Sequence, residues 1–350
     1  MGDEEASAAA DAVTRGKLSQ GSITADLEAR FAETLDVPYV TMTTSGTVAL
    51  VMALVAAGVK AEDEVIVPDR TFIATAHAPQ LLGARVRLAD TGPNQPLMDP
   101  ASVEKKITEA TKAIIPVHLN GAACDMHRLA DIAERHGLVL IEDAAQALFS
   151  RSGNRSLGTF GRFGCFSLGV TKLMTSGQGG FVIAHDEKDH QRLQFMRSHG
   201  VESPLAESFD HFGFNFRYTD IQAAVAHRQL DRKKQKIEAH QALFLRYREA
   251  LSGLNRVQLV DFDTADGGLP LWVEAICEDR AELIDFLAER GIQARQATPN
   301  LSASPHLQDG GESPNSTYFE RHLLTLPSGP DQAPDGIQLT LDALRDFEQA

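Results

Sequence analysis

The sequence predicts an α/β protein: a large domain with a mainly parallel sheet between helices, followed by a small C-terminal α/β domain. Three observations predict it. From Tyr39 to Ala184 short apolar runs alternate with amphipathic helical stretches, the order that builds a parallel sheet covered by helices on both faces. The runs themselves, such as residues 138–141, are continuous rather than alternating, as strands buried on both faces are. A helical stretch over residues 221–251 then exceeds the usual globular helix of ~10–14 residues, and helices of that length commonly bridge two domains. The boundary is expected near residue 235, which gives domains 1–235 and 236–350 of a 350-residue chain long enough to bury a large core.

Taken in order, Ile23, Leu27, Phe31 and Leu35 recur every fourth position after Ser22, a good N-cap, so a helix is expected over 23–35. Residues 39–43 read as a strand, and Thr44-Ser45-Gly46-Thr47 turns directly into an apolar helix over 48–57. Strands follow at 64–67, 86–88, 113–117 and 138–141, with helices near 74–82, 102–107 and 129–136 between them. A strand at 181–184 and a helix at 188–199 precede the irregular, aromatic stretch 213–220 that leads into the long helix. The remainder carries apolar runs at 257–260 and 271–276, helices at 280–290 and 339–347, and a Pro-, Ser-, Asn- and Gly-rich loop over 298–317.

Composition narrows the partners. The 33 basic and 48 acidic residues give a net charge of −15, which argues against nucleic acid or an anionic membrane as main partner. The three cysteines are widely separated, which fits a reducing compartment and leaves no disulfide framework or zinc spacing; His118 and His127 have only Asp125 between them as a possible further ligand, so no metal site is expected. The acidic N-terminus is unlike a signal peptide, and no run of about 18 apolar residues occurs. A cytoplasmic location follows.

The chemistry concentrates between Leu138 and Phe181. The run 138–141 ends in Glu142-Asp143, which puts Asp143 at a strand C-terminus, where α/β sheets bind ligands. Lys172 arrives after a second apolar run, flanked by Phe166, Leu168, Val170, Leu173 and Met174, and just before the glycine cluster 176–180. Singly, such an Asp reads as an N-cap and such a Lys as a solvated charge. Together they suggest pyridoxal phosphate, which needs a lysine amine for its resting Schiff base and a carboxylate against its pyridine nitrogen. The small-residue turn at Ser45-Gly46-Thr47 opens a helix whose N-terminus suits a phosphate, and it serves equally as an ordinary capped junction. Phe72, at the exit of the strand 64–67, could stack on a flat ring or staple the following helix. There is no GxGxxG and no P-loop lysine.

With these residues assembled, the chain resembles the DegT-type sugar aminotransferases, pyridoxal-phosphate enzymes of fold type I. The motifs match in order: Gln20-Gly21, Ser45-Gly-Thr-Val-Ala-Leu50, Asp63-Glu-Val-Ile-Val-Pro68, Thr71-Phe-Ile-Ala-Thr75, Val117-His-Leu-Asn-Gly121, Glu142-Asp-Ala-Ala-Gln146, Phe166-Ser-Leu-Gly-Val-Thr-Lys172, Gly213-Phe-Asn-Phe-Arg217 and Gln222-Ala-Ala224. The resemblance implies that Lys172 forms the Schiff base, Asp143 pairs with the pyridine nitrogen, Gln146 reaches the ring hydroxyl and Phe72 stacks on the ring. It further implies a phosphate held by Gly46, Thr47 and Ser167, joined by Asn215 from the second subunit of a homodimer with shared active sites, and Arg217 receiving the donor's carboxylate. The implied reaction moves an amino group from an amino acid, L-glutamate by family habit, to a keto sugar, most often nucleotide-linked, in amino-sugar biosynthesis. Departures fall near the pocket: Gln178 replaces the usual Glu, Asn120 the tyrosine that often follows His-Leu, and Leu148 the histidine that often follows Gln-Ala. The rivals are an aminocyclitol aminotransferase, a dehydratase of the same family, in which histidine replaces the lysine, and a non-catalytic regulatory protein on the same fold.

Overall fold

A computed structural model describes residues 1–201, 208–209, 211–307, 311–329 and 332–350. The first strands, β1 (Tyr39–Thr43), β2 (Glu64–Pro68), β3 (Arg85–Ala89), β4 (Thr111–Ile114) and β5 (Val139–Asp143), precede a short hairpin of β6 (Arg151–Ser152) and β7 (Arg155–Ser156), after which come β8 (Phe163–Ser167) and β9 (Gly180–Ala184). The hairpin apart, they form one seven-stranded sheet in the order β1-β9-β8-β5-β4-β2-β3. Within it β9 runs antiparallel to both neighbours and the remaining pairs are parallel. Helices α1 (Asp3–Thr14), α2 (Ser22–Leu35), α3 (Gly46–Ala56), α4 (Ala74–Leu81), α5 (Pro100–Lys106), α6 (Met126–His136), α7 (Glu187–Arg197) and α8 (Asp220–Asp231) accompany this sheet. Buried apolar side chains form cores on both its faces.

Period-two alternation explains how the sheet serves two masters. On one face Phe166 of β8 stacks on Phe181 of β9 with centroids 4.5 Å apart, and Phe181 stacks on Phe31 of α2 at 4.6 Å. The neighbours of Phe166, Cys165 and Ser167, turn to the other face. There α3, apolar nearly all round, packs against α4, α7, β8 and β9, as a helix buried on every side must.

Several expectations shift in detail. Ser22 is the first residue of α2 rather than its cap; the free amides are served by the buried Asp220, whose Oδ1 accepts from Gly21 N at 2.8 Å and from Thr24 N at 2.9 Å. The Ala-rich α1 was not anticipated; its Glu5 is buried, accepting from Gln229 Nε2 at 2.6 Å and from the Arg232 guanidinium. The long helix is broken: α8 ends and α9 (Lys233–Ala250) begins around Arg232, at φ −100° and ψ 15°. No proline or glycine causes the break, which falls where Glu5 holds Arg232 and the chain leaves the large sheet for a second core.

That second core lies on an antiparallel sheet of β10 (Gln258–Leu259), β11 (Val273–Ile276), β12 (Arg295–Gln296) and β13 (Leu323–Leu326), in the order β10-β11-β13-β12. It is covered by α9, α10 (Arg280–Ala288) and α12 (Pro334–Gln349). Part of the expected loop over 298–317 is α11 (Pro314–His322), which starts with Pro314 in its first turn, where a missing amide costs nothing. Residues 308–310 of that loop lie outside the described residues.

Candidate active site

The C-terminal ends of β1, β2, β5 and β8 open on one cavity of about 190 Å³, lined among others by Gly46, Thr47, Phe72, Asp143, Gln146, Ser167 and Lys172. Register brings them together. Gly180 at the start of β9 pairs with Thr43 on one side and Ser167 on the other, which draws the α3 turn against β8. The approach is close enough that a Cβ on Gly46 would lie 2.9 Å from Ser167 Cβ. In the first turn of α3, Val48 N donates to Ser45 Oγ at 3.2 Å and Ala49 N to Ser45 O at 3.0 Å, while Gly46 and Thr47 lie ahead of these at the cavity. This is a helix N-terminus shaped for an anion, with the Ser167 hydroxyl beside it.

Asp143 lies on the cavity floor, 5 % exposed. Its Oδ2 accepts from Thr75 Oγ1 at 2.7 Å and its Oδ1 from Ala145 N at 3.1 Å. Burial pushes its carboxyl above the usual range, and the two hydrogen bonds and the charges of Lys172 and His118 act against that rise. Burial likewise pulls the Lys172 amine down, opposed by Asp143. A carboxylate with lone pairs to spare in such a place calls for a cation against it, and an amine with lowered pKa is a better nucleophile and base near neutral pH. The adjacent Glu142 points the other way, into a buried cluster, where it accepts from Gly158 N at 2.8 Å and Gly161 N at 2.6 Å and meets His118 Nε2 at 2.8 Å. Of the two acids ending β5, only Asp143 faces the cavity.

Phe72 is 58 % exposed, a ring left uncovered on the cavity wall. Gln146 Oε1 accepts from Asn120 N at 2.8 Å. The flank of Lys172 is apolar as expected, except that Val170 is exposed. These residues fit pyridoxal phosphate: an anion cradle, a flat wall, a buried carboxylate and an amine around one hollow.

Asn215 and Arg217 do not line this cavity. Their loop is laced to the end of α7 by Phe214 N to Met196 O at 2.8 Å and Phe216 N to Arg197 O at 3.0 Å, and Arg217 Nε donates to Asn215 Oδ1 at 2.9 Å. Its aromatics divide. Tyr218 is fully buried and donates to Ser176 Oγ, Phe216 packs on the core, and Phe212 and Phe214 stand exposed at 69 % and 40 %.

A second cavity of about 470 Å³ adjoins the first, sharing Phe72, Gln146, Lys172 and Gln178 and adding Arg70, Trp272, Glu274, Arg295 and Thr298. Trp272 and Glu274 arrive with β11, held by Asn120: its Nδ2 donates to Trp272 O at 3.0 Å and Glu274 Oε2 at 3.2 Å, and its Oδ1 accepts from Trp272 N at 2.7 Å. The Trp272 ring centroid is 5.8 Å from Lys172 Nζ. Sequence reasoning missed these residues, and the one available signal was that Trp272 is the chain's single tryptophan, in an apolar run. Among the described residues no group of three or more His, Cys, Asp or Glu side chains could hold a metal, and no helix is long and apolar enough to cross a membrane.

Residues 1–345 match the DegT/DnrJ/EryC1/StrS aminotransferase family. The chain is 34 % identical over 283 residues to the GDP-perosamine synthase of Caulobacter vibrioides, covering 79 % of this chain and 76 % of that one. It is 33 % identical over 355 residues to the dTDP-3-amino-3,4,6-trideoxy-alpha-D-glucose transaminase of Streptomyces venezuelae, covering 99 % and 92 %. Among solved structures it is similar to S. venezuelae DesV, with a TM-score of 0.93 and 32 % identity over 99 % of this chain and 95 % of that one. The fold is therefore that of the fold type I enzymes, and the chain belongs to the DegT/DnrJ/EryC1/StrS family as a pyridoxal-phosphate-dependent aminotransferase.

Proposed function

We propose that this protein is a sugar aminotransferase of amino-sugar biosynthesis, moving an amino group from an amino acid, L-glutamate in the first instance, to a nucleotide-linked keto sugar. The observation that carries the reading is the meeting of Asp143 and Lys172, from separate segments, in one cavity beside an anion-shaped helix terminus. The nucleotide-linked acceptor is supported by the relatives, whose names specify amino sugars carried on GDP and dTDP.

Bound in this cavity, pyridoxal phosphate supplies an electron sink for the donor's α-carbon. Gly46, Thr47 and Ser167 would hold its phosphate, Phe72 would cover one ring face, Gln146 would reach the ring hydroxyl, and Asp143 would keep the ring nitrogen protonated. Lys172 would anchor the cofactor through its amine and, when that amine is free, would be the base that takes the proton from the donor's α-carbon and passes it to the cofactor. Burial, which pulls the amine's pKa down, favours the neutral form that this task needs. In the second half-reaction the same lysine moves the proton in the reverse sense onto the carbon that was the sugar ketone. A lysine here, rather than histidine, favours transamination over the family's dehydratase chemistry.

The working unit in this reading is a cytoplasmic homodimer. Exposed Phe212 and Phe214 beside an Asn215–Arg217 pair that does not line its own chain's cavity support a loop that reaches the partner's site. We place the boundary between large and small domains near residue 235, three residues beyond the break at Arg232. The test is a two-step single turnover. L-Glutamate should discharge the cofactor's visible absorbance and yield one equivalent of 2-oxoglutarate, and among nucleotide-linked and free keto sugars and cyclitols a nucleotide-linked keto sugar should restore the absorbance fastest. Restoration only by a free cyclitol ketone would redirect the reading to an aminocyclitol enzyme.

A further inference from the structure

Arg70 lies two residues beyond the end of β2 and forms part of the wall of the larger of the two adjoining cavities, which Lys172 also lines. It is 3 % exposed, its Nη1 donates to Thr298 O at 3.3 Å, and its buried Nε has no hydrogen-bond partner. The acids around it are engaged elsewhere. Asp69 accepts from Ser302 N at 2.7 Å and Ser302 Oγ at 2.9 Å, Glu274 accepts from Asn120 Nδ2 at 3.2 Å, and Glu320 accepts from Asn300 N at 2.9 Å. Glu274 and Glu320 attract the guanidinium and Arg280 repels it, and among the described residues none forms a salt bridge with it. Burying a guanidinium without a paired anion is costly, and its planar donor fork matches a carboxylate in two-point contact.

We propose that Arg70 binds the α-carboxylate of the amino-acid donor and so presents the donor's amine towards Lys172. The inference deepens the aminotransferase reading and rests on it. The buried fork of Arg70, with Glu274, Glu320 and Asp69 around it, has charge for a monoanion, and Arg295, the other arginine on this wall, is exposed and donates to Gln293 Oε1 at 3.3 Å. Arg217, expected from the sequence to take the donor's carboxylate, is tied to Asn215 outside the cavity of its own chain.

The test uses holoenzyme mixed rapidly with L-glutamate, following the cofactor's visible absorbance. Arg70→Gln should raise the glutamate concentration for half-maximal rate at least about tenfold, the loss expected for a hydrogen bond to a charged group, with Arg70→Lys in between. Wild type should lose a similar factor on isoglutamine, whose α-carboxylate is an amide, and Arg70→Gln should add little to that loss. If Arg70→Gln does not retain cofactor, Arg70→Lys and the wild-type isoglutamine comparison carry the decision. An unchanged glutamate dependence would overturn the proposal. So would a pattern in which L-glutamine, lacking the γ-carboxylate, replaces isoglutamine as the insensitive donor, or a loss confined to calorimetric binding of GDP or dTDP. A wild type that reacts with no amino acid would instead overturn the aminotransferase reading itself.

Discussion

Asn120 stands where the resembling family often has a tyrosine, and the structure gives the asparagine a task that alanine cannot perform. It sits at φ 55°, in the left-handed region that asparagine tolerates, and its side chain joins β11 to the end of the large sheet through three hydrogen bonds to Trp272 and Glu274. Asn120→Ala removes all three, at about 1 kcal/mol each and more for the carboxylate, and adds about 1 kcal/mol for placing alanine at positive φ. A loss of about 4 kcal/mol is expected for the contact between the small sheet and the large one. The single tryptophan is Trp272 itself, so its fluorescence during urea unfolding reports the contact directly. The early part of the transition should move to lower urea, and in the proposed mechanism glutamate should bind more weakly because Trp272 and Glu274 line the cavity that Lys172 also lines. Asn120→Gly loses the same bonds without the strain and should recover about 1 kcal/mol relative to alanine. If Asn120→Ala unfolds within about 0.5 kcal/mol of wild type, or glycine is no better than alanine, the latch is not what holds Trp272 in place.

Three further outcomes follow from the same geometry. Because burial raises the Asp143 carboxyl in the folded apoenzyme, the folded state keeps its proton to higher pH than the unfolded chain; relative to Asp143→Asn, wild-type apoenzyme should therefore lose stability as pH rises from the ordinary aspartate range through the raised one, and a flat difference in urea midpoints would contradict this. Gly46→Ala puts a Cβ 2.9 Å from Ser167 Cβ in the phosphate cradle, so cofactor affinity measured by absorbance titration should fall at least about tenfold with near-wild-type circular dichroism. Mixing inactive Lys172→Ala subunits with Asn215→Ala/Arg217→Ala subunits should restore activity by placing both lesions in one site of a heterodimer, and confirmed exchange without recovery would count against a shared site.

The sequence revealed most where information is local. Apolar runs between helical stretches marked six of the seven strands of the large sheet because most of their residues are buried, while β8 showed only as a second apolar run; Asp143, Lys172, Gly46, Thr47 and Ser167 sit within a few residues of strand ends that open on one cavity. What it hid depends on contacts distant in the chain. Asp220 caps a helix some two hundred positions away, and Glu5, near the other end of the chain's large domain in sequence, pins Arg232 at the break between α8 and α9. No periodicity announces either. β13 is central in the small sheet yet only four residues long, and α11 opens on Pro, Asn and Ser, so composition reads it as loop. Trp272 and Glu274 reach the second cavity because the C-terminal part of the chain docks on the large domain through Asn120, Asp69 and Asp90, the last accepting from Ser316 N at 2.8 Å. Asn215 and Arg217 show the opposite limit: a legible motif whose side chains, within one chain, do not line the cavity.

In the proposed mechanism Lys172 anchors the cofactor. Borohydride reduction of the purified holoenzyme, followed by proteolysis and mass mapping, reads that attachment without any assumption about the sugar. The cofactor's added mass should sit on the peptide carrying Lys172 and be absent from Lys172→Ala, which should fold normally without visible absorbance. Label on another lysine, or a reduced and labelled Lys172→Ala, would contradict the central claim.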